Sequence, residues 1–127
     1  MLIRDREEAI RKHREMWNWI ADRIMERKRS VIIDELKQEY VVQHNEDILY
    51  SCYLCDYCIG MLDDEECEER CKHCPLDWES SGDEYGLYQC ITNYEDNYIG
   101  LYDNVRRTKD WKNQYLYCRK IANLEEV

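Results

Sequence analysis

The residues with the most chemical reach in this chain are cysteines. Six of the eight lie between Cys52 and Cys74, as CYLCDYC (Cys52, Cys55, Cys58), then Cys67, then CKHC (Cys71, Cys74). Two thiolates separated by two residues in a tight turn can point at one ion, and two such knuckles complete a tetrahedron. The Cys52/Cys55 and Cys71/Cys74 clips are fifteen residues apart, within the usual spacing of four-thiolate zinc sites. The spacing therefore predicts one structural Zn²⁺ held by Cys52, Cys55, Cys71 and Cys74, the two outer clips that share no residue. The choice of four stays open: Cys55 and Cys58 make an equally good knuckle, and Cys67, His73 or Cys90 could stand in for one ligand. Seven cysteines and a histidine could also hold two ions. Cys90 reads either as core or as ligand, and Cys118, on a helical apolar stripe, as a buried small hydrophobe.

Four thiolates around zinc leave no open coordination position, so such a site stabilises structure rather than catalysing a reaction. A disulfide scaffold is the competing reading of clustered cysteines. It would need an oxidising compartment, and the opening MLIRDREEAIRKHRE has neither the apolar stretch of a secretory signal nor the acid-poor character of a transit peptide. The expected setting is cytoplasmic, with no membrane span, because the longest apolar runs are a few residues.

The elements that must position the cysteines read as helices. Over residues 4–29, Ile10, Trp17, Ile20, Ala21 and Ile24 recur at helical spacing with His13 on the same stripe, and charges fill the other faces. Ser30 is expected to cap a second helix running to about Tyr40, with Ile33, Leu36 and Tyr40 inward. Val41 to Tyr50 reads as a loop. Towards the C-terminus, Tyr94, Tyr98, Leu101, Tyr102 and Val105 mark one helical stripe, in which Gly100 costs about 1 kcal/mol of propensity. Thr108 is expected to cap a last helix facing Trp111, Tyr115, Cys118, Ile121 and Ala122 to the core. The expectation is one mainly α domain spanning 1–127: N-terminal helices (1–44), a zinc-stapled, loop-rich acidic insertion (45–81) and C-terminal helices (82–127). With 127 residues the chain has the length of one domain with one core.

Charge is unevenly spread. Within the net −10 of the chain, residues 4–29 carry +3, residues 46–96 carry −13 and residues 97–127 carry +2, the remaining −2 falling in residues 30–45. Ten of eleven tyrosines follow residue 49, several beside acids (Asp56-Tyr57, Glu84-Tyr85, Tyr94-Glu95), though with no Phe in the chain much of this tyrosine must serve the core. The bland account of the acidic stretch is a solvated face that keeps a small protein soluble.

Four strings, HREMWNWIADRI, CYLCDY, RCKHCPLDW and DWKNQYLYCRKIANLEE, resemble in content and order small cysteine-rich, zinc-clip proteins of Gram-positive bacteria and their phages. The resemblance implies that Cys52, Cys55, Cys71 and Cys74 are the family's clip positions and that Cys58 and Cys67 are additions of this chain. It implies a phage-encoded context and a host-cell partner, and it supplies no mechanism.

Three function classes can be weighed. Catalysis has little to stand on: His13, His44 and His73 are the chain's histidines, and no nucleophile motif or Gly-rich phosphate loop is present. A thiol redox protein would present one clip opening a helix in a βαβ setting, an alternation this sequence lacks. A nucleic-acid-associated regulator would use the basic first helix (Arg23, Arg27, Lys28, Arg29), but Arg70 and Lys72 are the only bases among fifteen acids in the cysteine stretch. The expectation is a non-enzymatic, zinc-stabilised interaction module. It meets a basic surface on a host protein through Asp63, Asp64, Glu65 and Glu66, without binding a small molecule.

Overall fold

The computed structural model describes residues 5–46, 53, 54, 57, 75, 76 and 101–126. Among these the protein is mainly helical, with four helices: α1 (Arg6–Arg27), α2 (Ile33–Gln43), α3 (Leu101–Arg107) and α4 (Trp111–Ala122). The sole bridge of β type among the described residues is an antiparallel pairing of Leu76 with Glu126.

Helix α1 forms where the apolar stripe predicts it. Asp5 caps its start, the carboxylate accepting from the Glu7 N–H at 3.0 Å, and Glu7 and Glu8 follow in the first turn, where the dipole favours acids. Its end is a left-handed turn at Lys28 (φ 52°), whose N–H reaches the Ile24 carbonyl. The stripe Ile10, His13, Trp17, Ile20, Ala21 and Ile24 is buried together with Ala9 and Met16.

Helices α1 and α4 pack antiparallel: His13 lies against Ile121, and Asn18 and Asp22 both meet the Arg119 guanidinium. Of the inward residues predicted on α4, Cys118, Ile121 and Ala122 are buried, while Trp111 and Tyr115 sit part-exposed at the rim. The centre of its inner face is instead Gln114, fully buried. Its amide Oε1 accepts from the Val31 N–H (2.8 Å), and Nε2 donates to the carbonyls of Val31 (2.9 Å) and Val105 (3.1 Å). One side chain thereby joins the α1–α2 connection to α3. Each such buried bond contributes about 1 kcal/mol net, and each group left unpaired costs about 1–3 kcal/mol.

Both predicted caps shift by two residues. Helix α2 starts after Ile32, with no side-chain cap, rather than after Ser30. Helix α4 is capped by Asp110, whose carboxylate accepts from the Lys112 N–H. Thr108 directly follows α3 and turns back onto it, its hydroxyl donating to the Asn104 carbonyl at 2.6 Å. The predicted loop from Val41 also begins later, because α2 runs on to Gln43 with Val41 buried. Leu101 and Val105 of the predicted stripe are buried on α3; Tyr94, Tyr98 and Gly100 lie outside the described residues.

Candidate metal centre and its anchorage

Seven of the eight cysteines, Cys52, Cys55, Cys58, Cys67, Cys71, Cys74 and Cys90, lie outside the described residues, as do His73 and the acidic run Asp63, Asp64, Glu65 and Glu66. Tyr53, Leu54 and Tyr57 beside the first clip, and Pro75 and Leu76 after the second, are described. Among the described residues, no cluster of three or more His, Cys, Asp or Glu is placed to hold a metal ion.

The first clip's neighbours point inward. Tyr53 and Leu54, between Cys52 and Cys55, are each 1% exposed, and Tyr57 is buried too. Tyr53 sets its edge against Tyr40 of α2 (centroids 6.5 Å, planes 89° apart), which in turn meets Trp19 of α1 edge-on and stacks on His44 at 3.9 Å. Above the Tyr53 ring, 5.7 Å from its centroid, sits the Lys12 ammonium of α1. Lys12 donates to the Glu46 carboxylate at 2.6 Å and lies 3.5 Å from Glu8. The Glu46 hydrogen bond, outweighing the cost of burial, holds the Lys12 ammonium above its ordinary value. Burial pushes the Tyr53 phenol upward, with the Glu46 charge acting in the same direction. This aromatic and ionic strut fixes where the chain enters the cysteine stretch.

The exit of the second clip is held on the same helix. Pro75 follows Cys74 directly and presents its carbonyl to the Arg6 guanidinium at 3.4 Å. Leu76 is fully buried and bridged to Glu126, which also lies 3.7 Å from Arg6. Arg14 donates to the Leu124 carbonyl (3.0 Å), so the C-terminal tail that receives Leu76 is itself tied to α1. Arg6 and Lys12 are six residues apart, a rise of about 9 Å along a helix. Tyr53, Leu54, Tyr57 and Leu76 belong to one buried cluster.

The remaining predicted chemistry resolves into structure. Cys118 is fully buried, and burial raises its thiol to about 12, so it is a protonated, apolar occupant of the core. His13 is buried with Nε2 3.0 Å from the Ile121 carbonyl. Burial lowers its pKa to about 4, helped by the Lys37 and Arg14 charges and opposed by the Ile121 carbonyl. His44 caps the end of α2, Nδ1 lying 2.9 Å from the Tyr40 carbonyl. The first helix's basic end (Arg27, Lys28, Arg29) is exposed. Arg23 instead pairs with Glu26 at 2.7 Å and covers the Trp19 ring at 5.2 Å. The sequence reading missed Arg6, Lys12 and Glu46 as anchors. No local signal singles them out, because Lys12 sits among Glu8, Arg11, Arg14 and Glu15, and Glu46 is followed by Asp47.

No helix of the described residues is long and apolar enough to cross a membrane. Comparison with family models, with curated proteins and with solved structures gives no match to this chain.

Proposed function

We propose that residues 45–81 form a zinc-stapled acidic lobe on the helical frame, and that the protein acts without catalysis by occupying a basic surface of another protein. Cys52, Cys55, Cys71 and Cys74 are the ligands of one structural Zn²⁺. When bound, the ion supplies a closed tetrahedral cross-link with no open position.

The observation that carries this reading is the common anchorage of the two clips. Tyr53, between the ligands of the first, lies under Lys12, and Pro75, next to the last ligand of the second, lies against Arg6. Anchored flanks on one stretch of α1 support this reading, because they lower the ordering cost of a four-thiolate site with ligand bonds of about 2.3 Å. The metal also offsets a chemical problem. Residues 46–96 carry fifteen acids and two bases, and such a stretch gains little from apolar burial unless it is cross-linked.

Function follows from the charge. Acidic side chains around tyrosines favour a cationic protein surface and speed encounter with it, an effect screened by salt over about 8 Å at 0.15 M. The test is a variant with Asp63, Asp64, Glu65 and Glu66 all changed to Lys. Its zinc content should stay at about one ion per chain, while capture of a basic partner slows in association and loses its salt dependence. Equal capture by both proteins at low and high salt would reduce the acidic run to a solubilising face.

A further inference from the structure

The outer face of α4 carries cations and one large apolar residue, and no acid. Gln114, Cys118, Ile121 and Ala122 form the buried inner face of this helix. On the opposite face Lys112, Leu116 and Lys120 follow at intervals of four residues, all exposed, with exposed Asn113 beside them and Lys109 just ahead of the helix. Leu116, at the centre, is 60% exposed. The helix contains no Asp or Glu. Asp110 beside it is engaged as the N-cap, and Asp22 of α1 is engaged by Arg119 at 2.8 Å. Lys109 and Lys112 form no ion pair among the described residues. The exposed side of α1, by contrast, balances its own charges by pairing Arg11 with Glu15 and Arg23 with Glu26.

This pattern selects its occupant. An exposed leucine between lysines is matched by an apolar side chain set between carboxylates. Lys112 and Lys120 are eight residues apart, about 12 Å along the helix, the span of an acid, an apolar residue and an acid at i, i+4 and i+8 of a second helix. Nucleic acid fits less well, because base stacking needs open ring faces. The Lys112 ammonium lies over the Trp111 ring, 5.9 Å from its centroid, and the Arg119 guanidinium over that of Tyr115 at 5.2 Å. Both rings also pack against the core. A second α4 is repelled in either direction. Centred on Leu116, an antiparallel copy sets Lys112 against the other copy's Lys120, and a parallel copy sets each lysine against its equivalent.

We infer that the outer face of α4 docks an acidic helical segment of another protein, which sets a large apolar side chain on Leu116 and carboxylates on Lys112 and Lys120. The inference goes beyond the acidic-lobe reading and does not depend on it. It adds a second surface, of opposite sign, carried by the helical frame itself.

The test is an NMR titration of the isotope-labelled full chain with a helix-stapled peptide that carries Glu, Leu and Glu at i, i+4 and i+8. The expected result is amide shifts centred on Lys112, Leu116 and Lys120, with affinity falling about tenfold between about 50 mM and about 500 mM salt. Leu116→Gln and Lys112→Glu, both at exposed positions and both keeping good helix formers, should each weaken binding about tenfold. A matched peptide with Lys in place of both Glu residues should not bind. Circular dichroism and melting of each variant confirm that the fold is kept. A peptide that leaves the α4 amides unmoved at millimolar concentration overturns the inference. So does binding that both variants leave intact, or that the lysine peptide equals. Stronger α4 shifts with oligothymidine than with the peptide overturn it in favour of nucleic acid. Self-association of the full chain that Leu116→Gln abolishes overturns it in favour of a second copy.

Discussion

Acidification should destabilise this protein through one buried histidine. His13 has Nε2 against the Ile121 carbonyl, lies wholly within the α1–α4 interface and has its pKa lowered from 6.5 to about 4. In the unfolded chain the imidazole takes up its proton as pH falls through about 6.5, while in the folded protein it stays neutral until about 4. Between those values the unfolded state binds more protons, so stability falls with falling pH, by up to about 1.4 kcal/mol per pH unit. Across the whole window the loss is on the order of 3 kcal/mol, and below about pH 4 it levels off because both states are then charged. Burial is the first cause, and the Lys37 and Arg14 charges add to it. His13→Gln keeps an N–H able to reach the Ile121 carbonyl and removes the titration. Urea unfolding at pH 7 and pH 4.5, followed by tryptophan fluorescence, should show wild type losing about 2–3 kcal/mol more than the variant. The comparison cancels the carboxylate and thiolate titrations that the two proteins share. Equal losses in both would refute the claim that His13 is held neutral by the interface.

Other perturbations follow from the same contacts. Gln114→Leu fills a similar volume but strands the Val31 N–H and the Val31 and Val105 carbonyls; urea unfolding should show a loss of about 2–4 kcal/mol. Lys12→Met removes the ion pair to Glu46 and the charge over Tyr53; hydrogen exchange should rise at residues 46 and 53–54 while α4 stays protected. Cys118, with its thiol raised to about 12 and no exposed surface, should remain unalkylated by iodoacetamide in the native protein, as read by peptide mass spectrometry.

The fold was legible where periodicity is strong. Ile10, Trp17, Ile20 and Ile24 repeat at helical spacing over two dozen residues, and no local competitor offers that stripe another partner. Cap residues were less legible, because chemistry near each boundary was ambiguous. Ser30 and Thr108 are good caps by type, yet the Gln114 amide takes the backbone of Val31 and Thr108 turns its hydroxyl back onto α3. Gln114 itself could not be singled out, since a polar residue at an inward position reads as an interruption until its backbone partners are known. The same limit applies to the candidate site. The clip spacing leads to the zinc proposal from the sequence alone, whereas the pairing of Arg6 with Pro75 and of Lys12 with Glu46 spans 69 and 34 residues. Such long-range choices depend on how α1 meets the rest of the chain and leave no local pattern.

The central claim is that one zinc ion joins the two cysteine clips where α1 anchors their flanks. Native mass spectrometry of protein purified under reducing conditions without added zinc tests it most directly. The chain should carry about one zinc ion, with wild-type stoichiometry kept by the Cys90→Ser variant and lost by the Cys52→Ser and Cys71→Ser variants. A folded wild-type protein that carries no metal, with Cys52, Cys55, Cys71 and Cys74 free or joined as disulfides, would contradict the account.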